Sequence, residues 1–415
     1  MFRDKTKRAQ KRLESLPCLA LQAEQVEFIY SPMAFKNEII QLIRQAKTRI
    51  FVTALYWQND EAGQEILDEI YRAKQDKPEL EVKILIDWHR AQRNLLGAEK
   101  SATNADWYCE QRQKYQLADE PNLFFGVPIN TREVFGVLHI KGFVFDDTVL
   151  YSGASINNVY LQQNEKYRYD RYQKITHPQL ADSMVAFIRD FLLNSDVVLP
   201  LDSVNRPKTK EIRQNIRHFR KNLALNGQYK LSSAVDFGNE LTVTPLFGLG
   251  GTGNVLNCTI EDLFQLVDEK LTICTPYFNF PRTLQQKIAA LLEQGKQVEI
   301  IVGDKVANDF YIPPTQPFKM AGALPYLYES NLRRFCEKFE GEIERGQLCV
   351  RLWKDGDNTY HLKGVWVDND YILLTGNNLN PRAWRLDAEN GLLIRDPQHE
   401  LQPQVAKELQ HIRQH

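Results

Sequence analysis

The sequence predicts an α/β fold made of two similar halves related by a pseudo-twofold axis, with the working site between them. Three observations predict it. The pattern H-x-K-x-x-x-x-D occurs twice, as His139, Lys141, Asp146 and as His361, Lys363, Asp368, 222 residues apart (139 and 361). The segment after each copy also repeats: Thr148-Val-Leu-Tyr-Ser-Gly153-Ala-Ser-Ile-Asn157 answers Tyr371-Ile-Leu-Leu-Thr-Gly376-Asn-Asn-Leu-Asn380. The strand–helix–strand pattern ahead of the first copy returns ahead of the second, Val52 answering Ile273, 221 residues on (52 and 273).

Taken in order, residues 1–16 carry Arg3, Lys5, Lys7, Arg8, Lys11 and Arg12 against two acids. They read as a solvated, frayed terminus, with a membrane-touching arm as the alternative. Residues 35–44 are apolar at helical spacing. Residues 49–57 read as a strand, 64–74 as a helix and 81–87 as a second strand, a β-α-β unit whose crossover implies a parallel pair. In each motif, His and Lys two apart share one face of a strand, because side chains alternate. The apolar residues next in the chain place that face at the rim of a buried sheet. Each motif Asp falls where the chain turns. Asn157 and Asn380 close the hairpins, and Asp170-Arg-Tyr-Gln-Lys-Ile175 answers Glu389-Asn-Gly-Leu-Leu-Ile394 as a carboxylate leading a further strand. After residue 270 the order returns: strand 270–277, helix 282–293, strand 297–304.

The expected boundaries are a first half at 1–200, a basic connecting segment at 201–240 and a second half at 241–415. In the connecting segment, Arg206 to Lys221 is strongly basic, with Ile212, Ile216 and Phe219 on one helical face. Two readings stand: an interfacial helix on anionic lipid, or a linker helix packed on the core. Gly248-Leu-Gly-Gly-Thr-Gly253, ahead of a helix, reads as a phosphate cradle or as a plain loop. The chain stops within a helical pattern (Val405, Leu409, Ile412).

There are 52 basic and 53 acidic residues, a net charge of −1. That argues against a general nucleic-acid binder, whose phosphate contacts normally need a basic surface, although a local basic patch, and with it a nucleic-acid or ribosome contact, is compatible with it. The six cysteines (Cys18, Cys109, Cys258, Cys274, Cys336, Cys349) show no metal or disulfide spacing and read as small hydrophobes in a reducing compartment. Residues 1–20 contain no secretory h-region and no window is apolar enough for a membrane span.

The paired H-x-K-x-x-x-x-D motifs resemble the phospholipase D superfamily. Asn104-Ala-Asp-Trp-Tyr108, Gly126-Val-Pro-Ile-Asn-Thr-Arg132, Tyr167-Arg-Tyr-Asp-Arg-Tyr172, Val302-Gly-Asp-Lys-Val-Ala-Asn-Asp-Phe-Tyr311 and Gly376-Asn-Asn-Leu-Asn-Pro-Arg-Ala-Trp-Arg385 are similar to the bacterial CDP-diacylglycerol–serine O-phosphatidyltransferases of that superfamily. The resemblance covers nearly the whole chain. It implies two phospholipase D-like halves and transfer of a phosphatidyl group from CDP-diacylglycerol to L-serine, with CMP released through a phosphatidyl-histidine. It also implies no cofactor, no metal, and peripheral attachment to the anionic cytoplasmic face of the inner membrane. Members usually continue in a basic amphipathic tail, so the chain is expected to be cut short.

Such a transfer needs a nucleophile, an acid for the leaving group and cations around the phosphoryl oxygens. His139 is expected as nucleophile and His361 as acid and then base, although the residues alone do not separate the two. Lys141 and Lys363 supply charge, with Asn157 and Asn380 as neutral donors. Following the family, the downstream acids hold the far ring nitrogens, Asp170 for His139 and Glu389 for His361. Asp146 and Asp368 are expected to pin the motif backbone. Arg132, Arg168, Arg171, Arg382 and Arg385 flank the motifs; Arg382 and Arg385, just after Asn380, are the first candidates for a diphosphate or carboxylate. Tyr56 and Tyr277, at equivalent strand ends, line the cleft or pack in the core. His89, His177, His218 and His411 lack Lys and Asp companions and read as structural or exposed. Rival functions are a cardiolipin synthase, a phospholipase D or a nuclease of the same chemistry, or a non-catalytic scaffold that binds membrane or ribosome through its basic segments.

Overall fold

The computed structural model describes residues 2–94, 101–117, 119, 121–232, 234–235 and 238–415. Met1 and residues 233, 236 and 237 of the expected connecting segment lie outside them. Two eight-stranded mixed sheets dominate. The first runs, edge to edge, Leu199–Pro200, Phe124–Val127, Glu81–Asp87, Arg49–Ala54, Gly142–Phe145, Thr148–Ser152, Tyr172–Thr176, Val26–Ile29. The second runs Leu348–Trp353, Gln297–Gly303, Lys270–Thr275, Gly364–Val367, Tyr371–Thr375, Glu389–Arg395, Thr242–Gly248, Leu19–Ala20. Both sheets share one plan. A parallel trio stands on one side, and the motif hairpin adds antiparallel to its first strand.

Local sequence accounts for these elements. Arg49–Ala54 pairs in parallel with Glu81–Asp87 across the helix Glu61–Asp76, which Asp60 caps by accepting from Gly63 N. The motif strands are buried on both faces, which is why Gly142-Phe-Val-Phe145 and Gly364-Val-Trp-Val367 read as continuous apolar runs. One hydrophobic cluster fills each half. A third joins them, with Leu138 and Ile140 of the first half against Leu362, Trp366 and Ala388 of the second.

Two segments differ from expectation. The terminus is not frayed: Phe2–Glu14 is a helix packed on Val255–Leu266, with Ala9 and Leu13 buried and Arg12 bound to Asp262. Leu19–Ala20 then pairs with Thr242–Gly248, so the first twenty residues lie on the second sheet although the expected boundary gives them to the first half. In the basic segment, the helix Arg213–Asn226 buries Ile216, Phe219 and Leu223. Its apolar face packs on the core, which favours the linker-helix reading. Asn254 caps the helix after the glycine-rich loop by accepting from Asn257 N, so a side chain occupies the end where a phosphate would sit.

Candidate active site

The segments that carry the two histidines leave their own sheets and pair with each other's halves. Leu138 bridges in parallel to Ala388, and Thr359–Tyr360 pairs in parallel with Arg168–Tyr169. His139 N donates to Ala388 O at 2.9 Å, and His361 N donates to Tyr169 O at 2.8 Å. Each histidine is thereby fixed beside the residue next to its partner carbonyl. That residue is the carboxylate of the opposite half: Glu389 for His139, Asp170 for His361. The Nδ1–carboxylate distances are 2.8 Å and 2.9 Å. The sequence expectation, Asp170 with His139 and Glu389 with His361, is thus corrected. The structure reverses the two pairs, and the inter-half bridges are the reason.

Both histidines and both lysines are buried, with Lys141 and Lys363 each 1% exposed. The lysines also cross the interface. A Cβ on Gly153 would lie 2.6 Å from Lys363 Nζ, and one on Gly376 would lie 2.8 Å from Lys141 Cγ. Each hairpin-end glycine therefore leaves room for the other half's lysine. Asn390 clamps the first motif, its Oδ1 accepting from Lys141 N and its Nδ2 donating to Lys141 O, both at 2.8 Å.

The two histidine environments are unequal. His139 Nδ1 meets the Glu389 carboxylate. Around His361 Nδ1 stand Asp170 Oδ2 at 2.9 Å, the Tyr160 hydroxyl at 2.9 Å and Lys363 Nζ at 2.6 Å. Burial first, then the neighbouring lysines, hold His139 well below its ordinary pKa. Burial and Lys363 lower His361 to about 4, against the opposing pull of Asp170. Burial and Asp387 push Glu389 well up. For Asp170, burial raises the carboxyl, but Lys363 and His361 outweigh it and keep it below the usual range. Burial, then Lys363, lowers Lys141 to about 7.

Other predicted residues fall in several places. Asp146 and Asp368 sit at the hairpin turns with positive φ, 48° and 52°. Asp146 accepts from the backbone N–H groups of Lys47, Thr48 and Arg49, and Asp368 from those of Asp268, Glu269 and Lys270. They organise backbone at the strand ends remote from the lysines. Asn157 and Asn380 each cap a turn, accepting from Tyr160 N and Ala383 N at 2.9 Å. The Arg382 guanidinium binds Asp387 and the carbonyls of Glu133 and Val134, while Arg385 is exposed. Arg171 is buried against Glu408. Tyr277 lies edge-on to His361 at 6.4 Å, and Tyr56 receives the Asn157 amide at 3.3 Å. His89 and His177 bind the carbonyls of Asn130 and Ala20. Sequence reasoning misses Tyr160, Asn390, Asp387 and Asp309. Only proximity to Asn157, Glu389 and the 302–311 run signals them.

A buried pair of His-Lys sets on facing, similarly ordered sheets, each His held by a carboxylate, defines a phospholipase D-like phosphotransferase. Residues 261–413 match the family model described as cardiolipin synthase, PLD-like domain. The chain is 78% identical to the CDP-diacylglycerol–serine O-phosphatidyltransferase of Haemophilus influenzae, covering all of this chain and 91% of that protein. It is 53% identical to the corresponding enzyme of Escherichia coli, covering 99% and 90%. The crystal structure of phosphatidylserine synthase from H. influenzae superposes with a TM-score of 0.97 at 77% identity, covering 99% of this chain and 91% of that one. The chain belongs to the CDP-diacylglycerol–serine O-phosphatidyltransferase family. A polyphosphate kinase of Porphyromonas gingivalis, 10% identical with a TM-score of 0.52, shares the fold.

Proposed function

We propose that this enzyme transfers the phosphatidyl group of CDP-diacylglycerol to L-serine in two displacements through a phosphatidyl-His139 intermediate. The inequality of the two histidines carries the reading. Nδ1 of each ring is taken up by protein, so Nε2 is the nitrogen available to substrate. With the Glu389 carboxylate on Nδ1, His139 can keep its proton in that bond and offer a bare Nε2 lone pair. His361 Nδ1 has one acceptor and two donors around it. With Nδ1–H donated to Asp170 throughout, Nε2 carries a second proton in the imidazolium, to be given to the leaving oxygen, and is bare in the neutral ring that results. An acid that must next act as a base needs both states.

In the first step His139 Nε2 attacks the phosphatidyl phosphorus, the P–O bond to CMP breaks, and His361 gives its proton to the departing oxygen. In the second, His361 takes the serine hydroxyl proton, the serine oxygen attacks phosphorus, and the P–N bond returns its electrons to His139. Lys141 and Lys363 offset the negative charge that grows on the phosphoryl oxygens in both steps. In that buried setting such contacts are worth more than in water.

The lipid substrate calls for attachment at an anionic bilayer surface, here the cytoplasmic face of the inner membrane. No helix among the described residues is long and apolar enough to cross a membrane. Exposed Tyr326 and Leu327 adjoin Tyr328, which stacks on Tyr277, and exposed Val134 and Phe135 adjoin the carbonyls bound by Arg382. Exposed Phe318 and Met320, just ahead of the helix that carries Tyr326 to Tyr328, add to these apolar contacts. Double replacement Phe318→Asp, Met320→Asp is expected to reduce flotation with phosphatidylglycerol-containing vesicles; undiminished flotation refutes this contact.

Peptide mass spectrometry after brief exposure to CDP-diacylglycerol without serine tests the chemistry. A phosphatidyl adduct on His139 that serine clears is expected. An adduct on His361 reverses the two roles, and absence of any adduct together with absence of CMP release removes the assignment.

A further inference from the structure

Beside His361 lies a charged pair that the two displacements do not use. Arg168 and Asp309 come from different halves. Their closest approach, Nη1 to Oδ2, is 3.7 Å, longer than a hydrogen bond, and the side chains are 16% and 20% exposed. The bidentate pair Arg171–Glu408, by contrast, is closed at 2.8 Å on both arms and buried. Arg168 is held over the Tyr160 ring at 5.0 Å and donates from Nε to Thr359 Oγ1 at 3.1 Å. Asp309 takes the Tyr277 hydroxyl on its other oxygen. Tyr160 and Tyr277 are the two rings that flank His361. Both charges are thus aimed by residues that touch the acid-base histidine, and both keep polar atoms free.

Burial opposes ionisation of Asp309, but Arg168 and His361 outweigh it and hold its carboxyl below the ordinary range. Tyr328, stacked on Tyr277 at 5.3 Å, and Phe310, 6.1 Å from it, complete an aromatic wall on the Asp309 side. On the other flank of the site, Arg90 lies over Tyr56, and the nearby acid, Glu133, is already closed by Arg90 and Arg93.

We infer that Arg168 and Asp309 form the acceptor pocket, taking the carboxylate and the ammonium of an amino acid zwitterion and presenting its hydroxyl to His361. The inference rests on the proposed role of His361 as base in the second displacement. An open cation–anion pair matches a molecule that carries both charges on one carbon. The aromatic wall adds cation–π attraction for the ammonium. Water and glycerol phosphates lack the ammonium, so the pocket would also discriminate against them by leaving Asp309 without its partner. The step itself is the second displacement already described; the pocket adds binding and orientation.

Asp309→Asn and Arg168→Gln test it, with steady-state kinetics for serine and serine-free exchange of labelled CMP into CDP-diacylglycerol. Losing one charged hydrogen bond is expected to raise the serine KM by roughly 10- to 100-fold, with a much smaller change in CMP exchange. Asp309→Asn should lower the preference for serine over 3-hydroxypropionate, and Arg168→Gln the preference for serine over ethanolamine. Asp309→Glu should recover part of the serine KM. An unmoved serine KM overturns the pocket. So does a rise in the CMP exchange constant that equals the rise in serine KM, since the pair would then hold the nucleotide. Absence of CMP exchange in the parent enzyme would sink the two-displacement reading, while the acceptor preferences would still report on the pocket.

Discussion

Gly153→Ala puts the packing of the site to a quantitative test. The new Cβ would stand 2.6 Å from Lys363 Nζ and 2.7 Å from each carboxylate oxygen of Asp170. Ordinary contact is about 3.4 Å or more, so these groups must withdraw by roughly 0.8 Å. A lone lysine head would swing away at little cost. This one is tied to Asp170 at 3.2 Å and to the His361 carbonyl at 2.7 Å, and is 1% exposed. Asp170 in turn holds His361 Nδ1 at 2.9 Å. The displacement therefore reaches His361 and Lys363 together, the proposed acid-base group and the proposed phosphate-facing cation. Misplacing catalytic groups by about 1 Å costs on the order of 10²-fold in rate. Gly153 has no positive φ, so alanine meets no backbone strain of its own. The expected result is a kcat for phosphatidylserine formation in mixed micelles reduced about 10- to 100-fold, with the thermal midpoint within a few degrees of the parent. A kcat within threefold of the parent refutes the tight crossing of Lys363 past Gly153.

Lys141, lowered to about 7 by burial and Lys363, binds fewer protons folded than unfolded between about pH 7 and 10.4. Stability should rise with pH across that window while kcat/KM for CDP-diacylglycerol falls, because the amine loses the charge that opposes the phosphoryl oxygens. Lys141→Arg should move the alkaline limb of kcat/KM upward, and Lys141→Met should lose its share of the stability rise; an alkaline limb unchanged in the arginine variant refutes the assignment. Asp146→Ala orphans three backbone N–H groups and places alanine at φ 48°. A loss of about 2–4 kcal/mol in urea unfolding is expected, with the kcat of the folded fraction within a few fold, since the residue lies a strand's length, roughly 15 Å, from Lys141; a large kcat loss at unchanged stability would put Asp146 in the chemistry. Glu408→Ala leaves the buried Arg171 guanidinium without its carboxylate and should cost about 3–5 kcal/mol, read from the denaturation midpoint; a cost under about 1 kcal/mol would mean that Arg171 finds water or another acceptor.

The repeat made the fold legible. Strand periodicity, turn residues and the two motif hairpins locate both sheets, because those signals are local. The first parallel pair of each sheet follows from strand–helix–strand order, whereas the third parallel strand, Phe124–Val127 in one sheet and Leu348–Trp353 in the other, is not part of that reading. The two His-Lys pairs that meet at the site were legible for the same reason, being confined to short spacings. The partnership between them was not. His139 and Glu389 are 250 residues apart and His361 and Asp170 are 191 apart, and their pairing depends on how two finished halves dock. The N-terminal helix escaped the sequence for a related reason. Its charge density reads as solvated, but Ala9, Leu13 and the Arg12–Asp262 contact find their partners on a helix beginning at Val255.

The crossed pairs explain why a quasi-symmetric site must be built from two halves. Each histidine takes its position from a backbone bridge to the other half and its proton partner from the carboxylate beside that bridge. Neither half holds a complete His–carboxylate pair of its own. Symmetry alone, however, would give two equal histidines, whereas the proposed two displacements assign them unequal roles. The inequality enters through substitutions at matched places. Glu389, pushed up by burial and Asp387, stands opposite Asp170, held down by Lys363 and His361. Asn390, which clamps the Lys141 backbone, stands opposite Arg171, which is spent on Glu408. Tyr160 meets the ring of His361. The duplicated fold supplies the geometry, and these departures from the repeat give the two histidines the unequal surroundings on which the proposed division between nucleophile and acid rests.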